Sequence, residues 1–184
     1  MVEKAFNKFF WGFFFILVSF KVQGFDIFPD IVGYIMFAIG FNALSVHSDR
    51  FEKAKPFNYI MIFLSVFSIY ERPAQVGLMQ TSLSNWVVIL IGVISTIINL
   101  IIVYNLFAGI IEMAKKQRKP DIADEADKKW TQYVIIQFAV LLLFVFVIIP
   151  VVAALYMICL VVATVAYAII VMCFMKKCGL SLNS

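Results

Sequence analysis

Histidine occurs once in this chain, at position 47; glycine occurs eight times and cysteine three times among 184 residues, and only 14% of the residues are charged. Each shortage excludes a class of chemistry. A metal centre needs several converging ligands. A general base needs an orienting partner, and Ser48 and Asp49 stand too close to His47 in sequence to form a triad with it. Cys159, Cys173 and Cys178 fall in or after the last apolar stretch, without the spacing of a zinc site or a redox pair, and read as small packing residues. Cys178, just past Lys176 and Lys177, is also placed for S-palmitoylation. No HExxH, GxSxG or Walker loop is present. The expectation is a protein that is not an enzyme, with no cofactor, no metal and no nucleic-acid partner.

What is abundant is apolar surface. Apolar residues make up 64% of the chain and the mean hydropathy is +0.99, against roughly 45–50% apolar in a soluble domain. A domain of this length has too much surface to hide that much apolar side chain in water. A bilayer span takes about 20 residues. The pattern predicts a single all-α domain over 1–184, a polytopic transmembrane bundle with spans at about 9–25, 29–46, 57–72, 86–112, 132–149 and 152–175. Polar connections are expected at 47–56 and 71–85. The last stretch, between Lys129 and Lys176, holds 46 uncharged residues. As one helix it would measure about 69 Å, over twice the roughly 30 Å hydrocarbon core. It must turn back, and Pro150 is the only helix breaker inside it.

Lys and Arg alternate along this threading. Lys4, Lys8, Arg50, Lys53, Lys55, Lys115, Lys116, Arg118, Lys119, Lys128, Lys129, Lys176 and Lys177 fall on one side; only Lys21 and Arg72 fall on the other. The positive-inside rule then places both termini in the cytoplasm and the protein in a plasma membrane, as a multi-pass protein of a bacterial inner membrane.

Two packing expectations follow. The aromatic run from Phe9 to Phe20 suits a lipid-facing helix better than a tight seam, which favours small residues. Gly33 and Gly40, seven apart, share one helix face and would admit a neighbouring backbone.

Three groups are candidate sites. Lys21, Asp26 and Asp30, with Glu71 and Arg72, form an outer-edge charge group that would guard the mouth of a solute path. The same charges also suit snorkelling and helix starts. Gly92, Ser95, Thr96 and Asn99 form a polar stripe on one face of the fourth span. Asn99 wants a partner, for which Gln137, Thr164, Ser65 and Ser68 are available, either as interhelical glue or as a solute contact. The segment 113–130 carries Lys115, Lys116 and Arg118, then an acidic helix start with Asp121 as N-cap and Asp124–Lys128 and Glu125–Lys129 at i,i+4 spacing. It would meet anionic headgroups or dock a membrane or cytoplasmic protein.

The stretch Phe20-Lys21-Val22-Gln23-Gly24-Phe25-Asp26-Ile27-Phe28-Pro29-Asp30-Ile31-Val32-Gly33-Tyr34-Ile35, continuing to Gly40, resembles a segment of uncharacterised small multi-pass membrane proteins of Gram-positive bacteria. The resemblance is firmest over about 10–56 and looser over 86–130. It implies a bacterial plasma membrane and carries no activity. In architecture the chain is also similar to the vitamin-binding subunits of energy-coupling-factor transporters. It departs from them in having no alanine in Phe9–Phe20, where their partner-binding Ala-x-x-x-Ala seam would lie. Two readings stay open: a non-enzymatic partner-binding or regulatory membrane protein, with 113–130 as its contact surface, and a small-solute transporter or capture subunit with a site between the outer charges and Asn99.

Overall fold

The structure is a computed structural model; it describes residues 1–17, 21–22, 25–26, 30–68, 83–146 and 150–182. It is all-α apart from one two-stranded ribbon. In chain order come α1 (Val2–Leu17), β1 (Lys21–Val22), β2 (Phe25–Asp26), α2 (Asp30–Leu44), α3 (Asp49–Ser68), α4 (Leu83–Lys116), α5 (Pro120–Phe146) and α6 (Pro150–Ser181). Each helix packs mainly on its chain neighbours, and α6 closes onto α1, so the six form a ring. The ends of the ring are unlike. At one, here called the basal end, α1, α3 and α5 begin and α2, α4 and α6 finish.

Two helical stretches are long and apolar enough to cross a membrane among the described residues, Leu90–Lys116 and Val151–Ser181. At 16 and 15 residues, α1 and α2 reach only about 24 and 22 Å. The first turns of α3 and α5 carry the charged residues Asp49, Glu52 and Asp121.

Several expected boundaries shift. The first helix begins at Val2 rather than Phe9, because Lys4 and Lys8 are good helix formers. It ends at Leu17, and strands Lys21–Val22 and Phe25–Asp26 occupy the end of the predicted first span, Lys21 opposite Asp26 and Val22 opposite Phe25. The predicted loop 47–56 is mostly helix. Ser48 caps α3 by accepting the Arg50 N–H at 3.1 Å, and the helix runs on through Pro56. α4 starts at Leu83, three residues before Trp86. Asp121 is not the N-cap of α5, which begins at Pro120; it lies in the first turn, where its charge suits the helix dipole. The uncharged stretch divides as expected, into α5 and α6, with Pro150 opening α6.

The core occupies the basal half and is built of phenylalanine. Phe6, Phe9, Phe37, Phe41, Phe51, Phe107 and Phe174 are fully buried. Phe9 packs edge-on against Phe41 at 4.9 Å and Phe37 at 5.6 Å between ring centroids, and Phe107 stacks on Phe174 at 6.3 Å. The expectation that the aromatic first helix faces outward is therefore wrong for half of it. Phe6 and Phe9 point inward while Trp11 is 42% exposed. The small residues needed at a tight seam are supplied by the partner helix. A Cβ on Gly40 would lie 2.8 Å from the Phe9 ring, one on Gly33 would lie 2.6 Å from Ile16, and Gly12 receives the Phe37 ring. The shared face of Gly33 and Gly40 does admit close approach, but of side chains as well as backbone.

Away from the basal end the packing thins. Leu90, Ile91, Val93, Ile94 and Ile97 of α4 are exposed, as are Val151, Leu155, Ile158 and Val161 of α6. At about 100° per residue, each set shares one broad face of its helix.

Candidate functional site

Every Lys and Arg carried by the six helices lies in the basal half, and the ionic contacts there tie the ring together across turns. α2 passes to α3 through residues 45–48. Ser48 is buried; its hydroxyl donates to Glu112 Oε2 of α4 at 2.6 Å while accepting the Arg50 amide. Arg50 Nε donates to Glu112 Oε1 at 3.0 Å, and its guanidinium lies 5.9 Å from the centre of the Tyr104 ring. The hydrogen bond to Glu112 holds the Arg50 guanidinium in its charged form still more firmly than usual. Lys116 Nζ adds a bond to the His47 carbonyl at 2.9 Å. His47 thus serves through its backbone, and no group of three metal-ligating side chains occurs among the described residues.

The α4–α5 turn is held as tightly. Lys119 N–H bonds to the Ala114 carbonyl and Arg118 N–H to the Lys115 carbonyl, the pair of bonds that ends a helix in a Schellman motif. Arg118 occupies the left-handed position with φ of 56°, a site that glycine fills at least cost. Gln117 Nε2 donates to the Leu182 carbonyl at 3.2 Å and Lys119 Nζ donates to the Ser181 carbonyl, pinning the end of α6. Glu125 pairs with Lys177 of α6 at 2.6 Å instead of with Lys129, and no ion pair joins Asp124 to Lys128 among the described residues. Local i,i+4 pairing is worth only a few tenths of a kcal/mol, so a cross-helix partner readily displaces it. Cys178, next to that bridge, is buried and so is not open to palmitoylation.

Of the predicted contact residues, Lys115 and Arg118 are exposed, and Lys116 is exposed but engaged with His47. On the same segment Met113, Ala114, Ile122, Ala123 and Ala126 turn into the core. The surface of 113–130 is therefore a basic turn followed by a helix start exposing Asp121, Asp124 and Asp127.

In the interior, Asn99 Nδ2 donates to the Tyr133 hydroxyl of α5 at 3.0 Å. None of the three described candidates, Gln137, Thr164 and Ser65, bonds Asn99 directly. Gln137 stands near the same tyrosine, while Thr164 and Ser65 turn back to carbonyls of their own helices, Leu160 and Met61. Ser68's side chain lies outside the described residues. The rest of the stripe is not a seam. Thr96 bonds the Gly92 carbonyl of its own helix, and among the described residues nothing comes within 4 Å of a Cβ built on Gly92. Asn58 of α3, fully buried, donates to the Tyr34 carbonyl of α2 at 2.8 Å. Tyr133 also bears on Tyr34 and on Tyr167 of α6, whose hydroxyl donates to the Lys129 carbonyl at 2.9 Å.

Of the outer-edge group, Lys21 and Asp26 face one another in the strand ladder, and Asp30 opens α2 within electrostatic reach of Tyr34. Tyr34 thereby links Asp30 to the neighbourhood of Tyr133 and Asn99. Glu71 and Arg72 lie outside the described residues.

Sequence reasoning missed Ser48, Glu112 and Tyr133. Glu112 had a legible signal, being the only acid between Glu71 and Asp121. Tyr133 had none, since tyrosines at span ends are common. No family model, no characterised protein and no solved structure matches the chain.

Proposed function

We propose that all six helices cross a bacterial plasma membrane with the basal end in the cytoplasm, and that the protein is a non-enzymatic partner-binding or regulatory component whose contact surface is 113–130. The observation that carries the reading is the division of the ring. One end gathers the Lys and Arg of the helices, while the far halves of α4 and α6 expose isoleucine, leucine and valine over a broad face. In water such surface is an aggregation liability, and lipid tails are its natural cover. The shortness of α1 and α2 is a mismatch that local bilayer thinning accommodates at modest cost. The resemblance of residues 10–56 to multi-pass proteins of Gram-positive bacteria fits the same placement.

Partner binding is favoured over solute transport because Asn99, the best-placed polar group of the fourth helix, is engaged by Tyr133 on the neighbouring helix. The turn that bears Arg118 is fixed by backbone and side-chain bonds, and it presents Lys115 and Arg118 outward without side-chain partners among the described residues.

Site-specific photo-crosslinking in intact cells tests the reading and avoids charge reversals, which would disturb topology. A photoreactive residue at position 115, 118 or 128 is expected to trap a protein, and one at position 158 to give lipid adducts alone. Protein adducts absent from all three basal positions would remove the proposed contact surface. For topology, cysteine replacing Asp121 should resist an impermeant maleimide in intact cells and react after permeabilisation.

A further inference from the structure

The seam where α6 closes onto α1 carries a groove of about 330 Å³ lined by Glu3, Lys4, Asn7, Lys176, Gly179 and Leu180. Its floor is shut. A Cβ on Gly179 would lie 3.2 Å from the Phe6 Cβ and 3.4 Å from the Glu3 Cα, so the two helices touch there and a ligand approaches only from outside the ring.

The cations of this groove differ from five others at the basal end. Arg50, Lys55 and Lys177 hold carboxylates, and Lys116 and Lys119 hold carbonyl oxygens. Lys4, Asn7 and Lys176 are exposed and, among the described residues, take part in no side-chain hydrogen bond or ion pair, although Glu3 stands beside Lys4. Two unpaired ammonium groups and an amide, brought from opposite ends of the chain to one groove, suit a phosphate.

The surface running on from the lysines narrows the ligand further. Lys4, Lys8, Trp11 and Phe15 share one face of α1, and the indole of Trp11 lies 5.5 Å from the Phe14 ring and 6.2 Å from the Phe15 ring. On α6 the matching face runs from Lys176 through Cys173, Ile169 and Val165, all exposed. Each helix thus presents a cation, then an apolar run, exposed on α6 and half-buried beyond the exposed Trp11 on α1. A free anion or an acidic peptide would use only the lysines; an amphiphile would use both parts.

We infer that this groove binds an anionic phospholipid of the leaflet at the basal end. Its phosphate sits between Lys4 and Lys176, the Asn7 amide donates to a headgroup oxygen, and its acyl chains follow Trp11–Phe15 and Cys173–Val165. The lipid bridges the first and last helices and so closes the ring. The inference rests on the membrane placement proposed above.

Trp11 is a built-in probe. The full chain, with Trp86→Phe and Trp130→Phe, is reconstituted in phosphatidylcholine vesicles containing increasing fractions of phosphatidylglycerol brominated on its acyl chains. Parallel vesicles carry brominated phosphatidylcholine. The brominated anionic lipid should reach half-maximal quenching at a mole fraction about tenfold lower, given the attraction of each lysine near an anionic surface. Lys4→Gln/Lys176→Gln should bring the two curves together, Lys4→Arg/Lys176→Arg should keep them apart, and Lys53→Gln/Lys128→Gln should leave the preference intact. Equal quenching by both lipids in the parent protein overturns the lipid site while leaving the membrane placement standing. Absence of quenching by either lipid removes the membrane placement itself. A preference lost equally in Lys53→Gln/Lys128→Gln assigns it to general surface charge and overturns the site. Reversal of the quenching by millimolar glycerol phosphate would make the groove a site for the free anion instead.

Discussion

The hydroxyl of Ser48 and the carboxylate of Glu112, 64 residues apart in sequence, are joined by a 2.6 Å hydrogen bond. The same hydroxyl oxygen accepts the Arg50 amide, so one side chain both caps α3 and fastens it to α4. Removing it leaves a helix end uncapped and a carboxylate short of a donor.

Ser48→Ala is therefore expected to lower stability by about 1–2 kcal/mol, the usual cost of a lost N-cap and a charge-assisted hydrogen bond. Arg50→Gln should cost less, because its ion pair with Glu112 is open to solvent, with side chains 35% and 39% exposed. Unfolding by SDS in mixed micelles, followed by circular dichroism, ranks the two. A larger loss for Arg50→Gln would mean that the ion pair, not the cap, holds this corner.

Glycines at the α1–α2 seam and in the far half of α4 should respond in opposite directions. At Gly40 a Cβ would meet the Phe9 ring at 2.8 Å, whereas among the described residues nothing lies within 4 Å of one at Gly92. Gly40→Leu should destabilise by about 1–3 kcal/mol through overpacking. Gly92→Ala should be neutral or stabilising by up to about 1 kcal/mol, from helix propensity. The same micellar unfolding assay decides. Tolerance of Leu at position 40 would show that Phe9 is free to leave its seat.

Arg118 holds a left-handed backbone with φ of 56°. Arg118→Gly should raise stability by up to about 1 kcal/mol by relieving that conformation. Lys115→Gly, inside α4, should lower it by a similar amount. A loss of stability in Arg118→Gly would mean that its side chain contributes more than its backbone costs.

The Asn99–Tyr133 bond separates a structural role from a solute role. A double-mutant cycle of Asn99→Leu and Tyr133→Phe should show coupling of about 0.5–1.7 kcal/mol, the range for interhelical hydrogen bonds in a bilayer. Additive effects within error would show that the two side chains do not depend on one another. Asn99 would then be available to a solute.

Some of this was open to sequence reading because the determinants are local. Apolar periodicity and length delimit a helix without reference to its neighbours, which is why all six helices were anticipated. The break at Pro150 was forced by a 46-residue uncharged stretch that no single crossing accommodates. Where local signals competed, the boundaries moved. Residues 49–56 look like a polar loop by composition, yet Ser48 supplies a cap and the charged side chains are good helix formers. The site was less legible. Lys115 and Arg118 were picked out by charge alone, whereas Ser48, Glu112 and Tyr133 gain their meaning only from partners on other helices.

The sequence by itself determined that this chain is a set of six apolar helices with its basic residues bunched at alternate connections, since composition, periodicity and charge order are properties of short stretches. Only the tertiary structure decided which face of the aromatic first helix is buried, that Glu125 takes Lys177 over Lys129, that Asn99 meets Tyr133, and that Lys4 and Lys176 share a groove. Each of those pairings spans tens of residues or more, and it depends on how the ring closes, which no local pattern encodes.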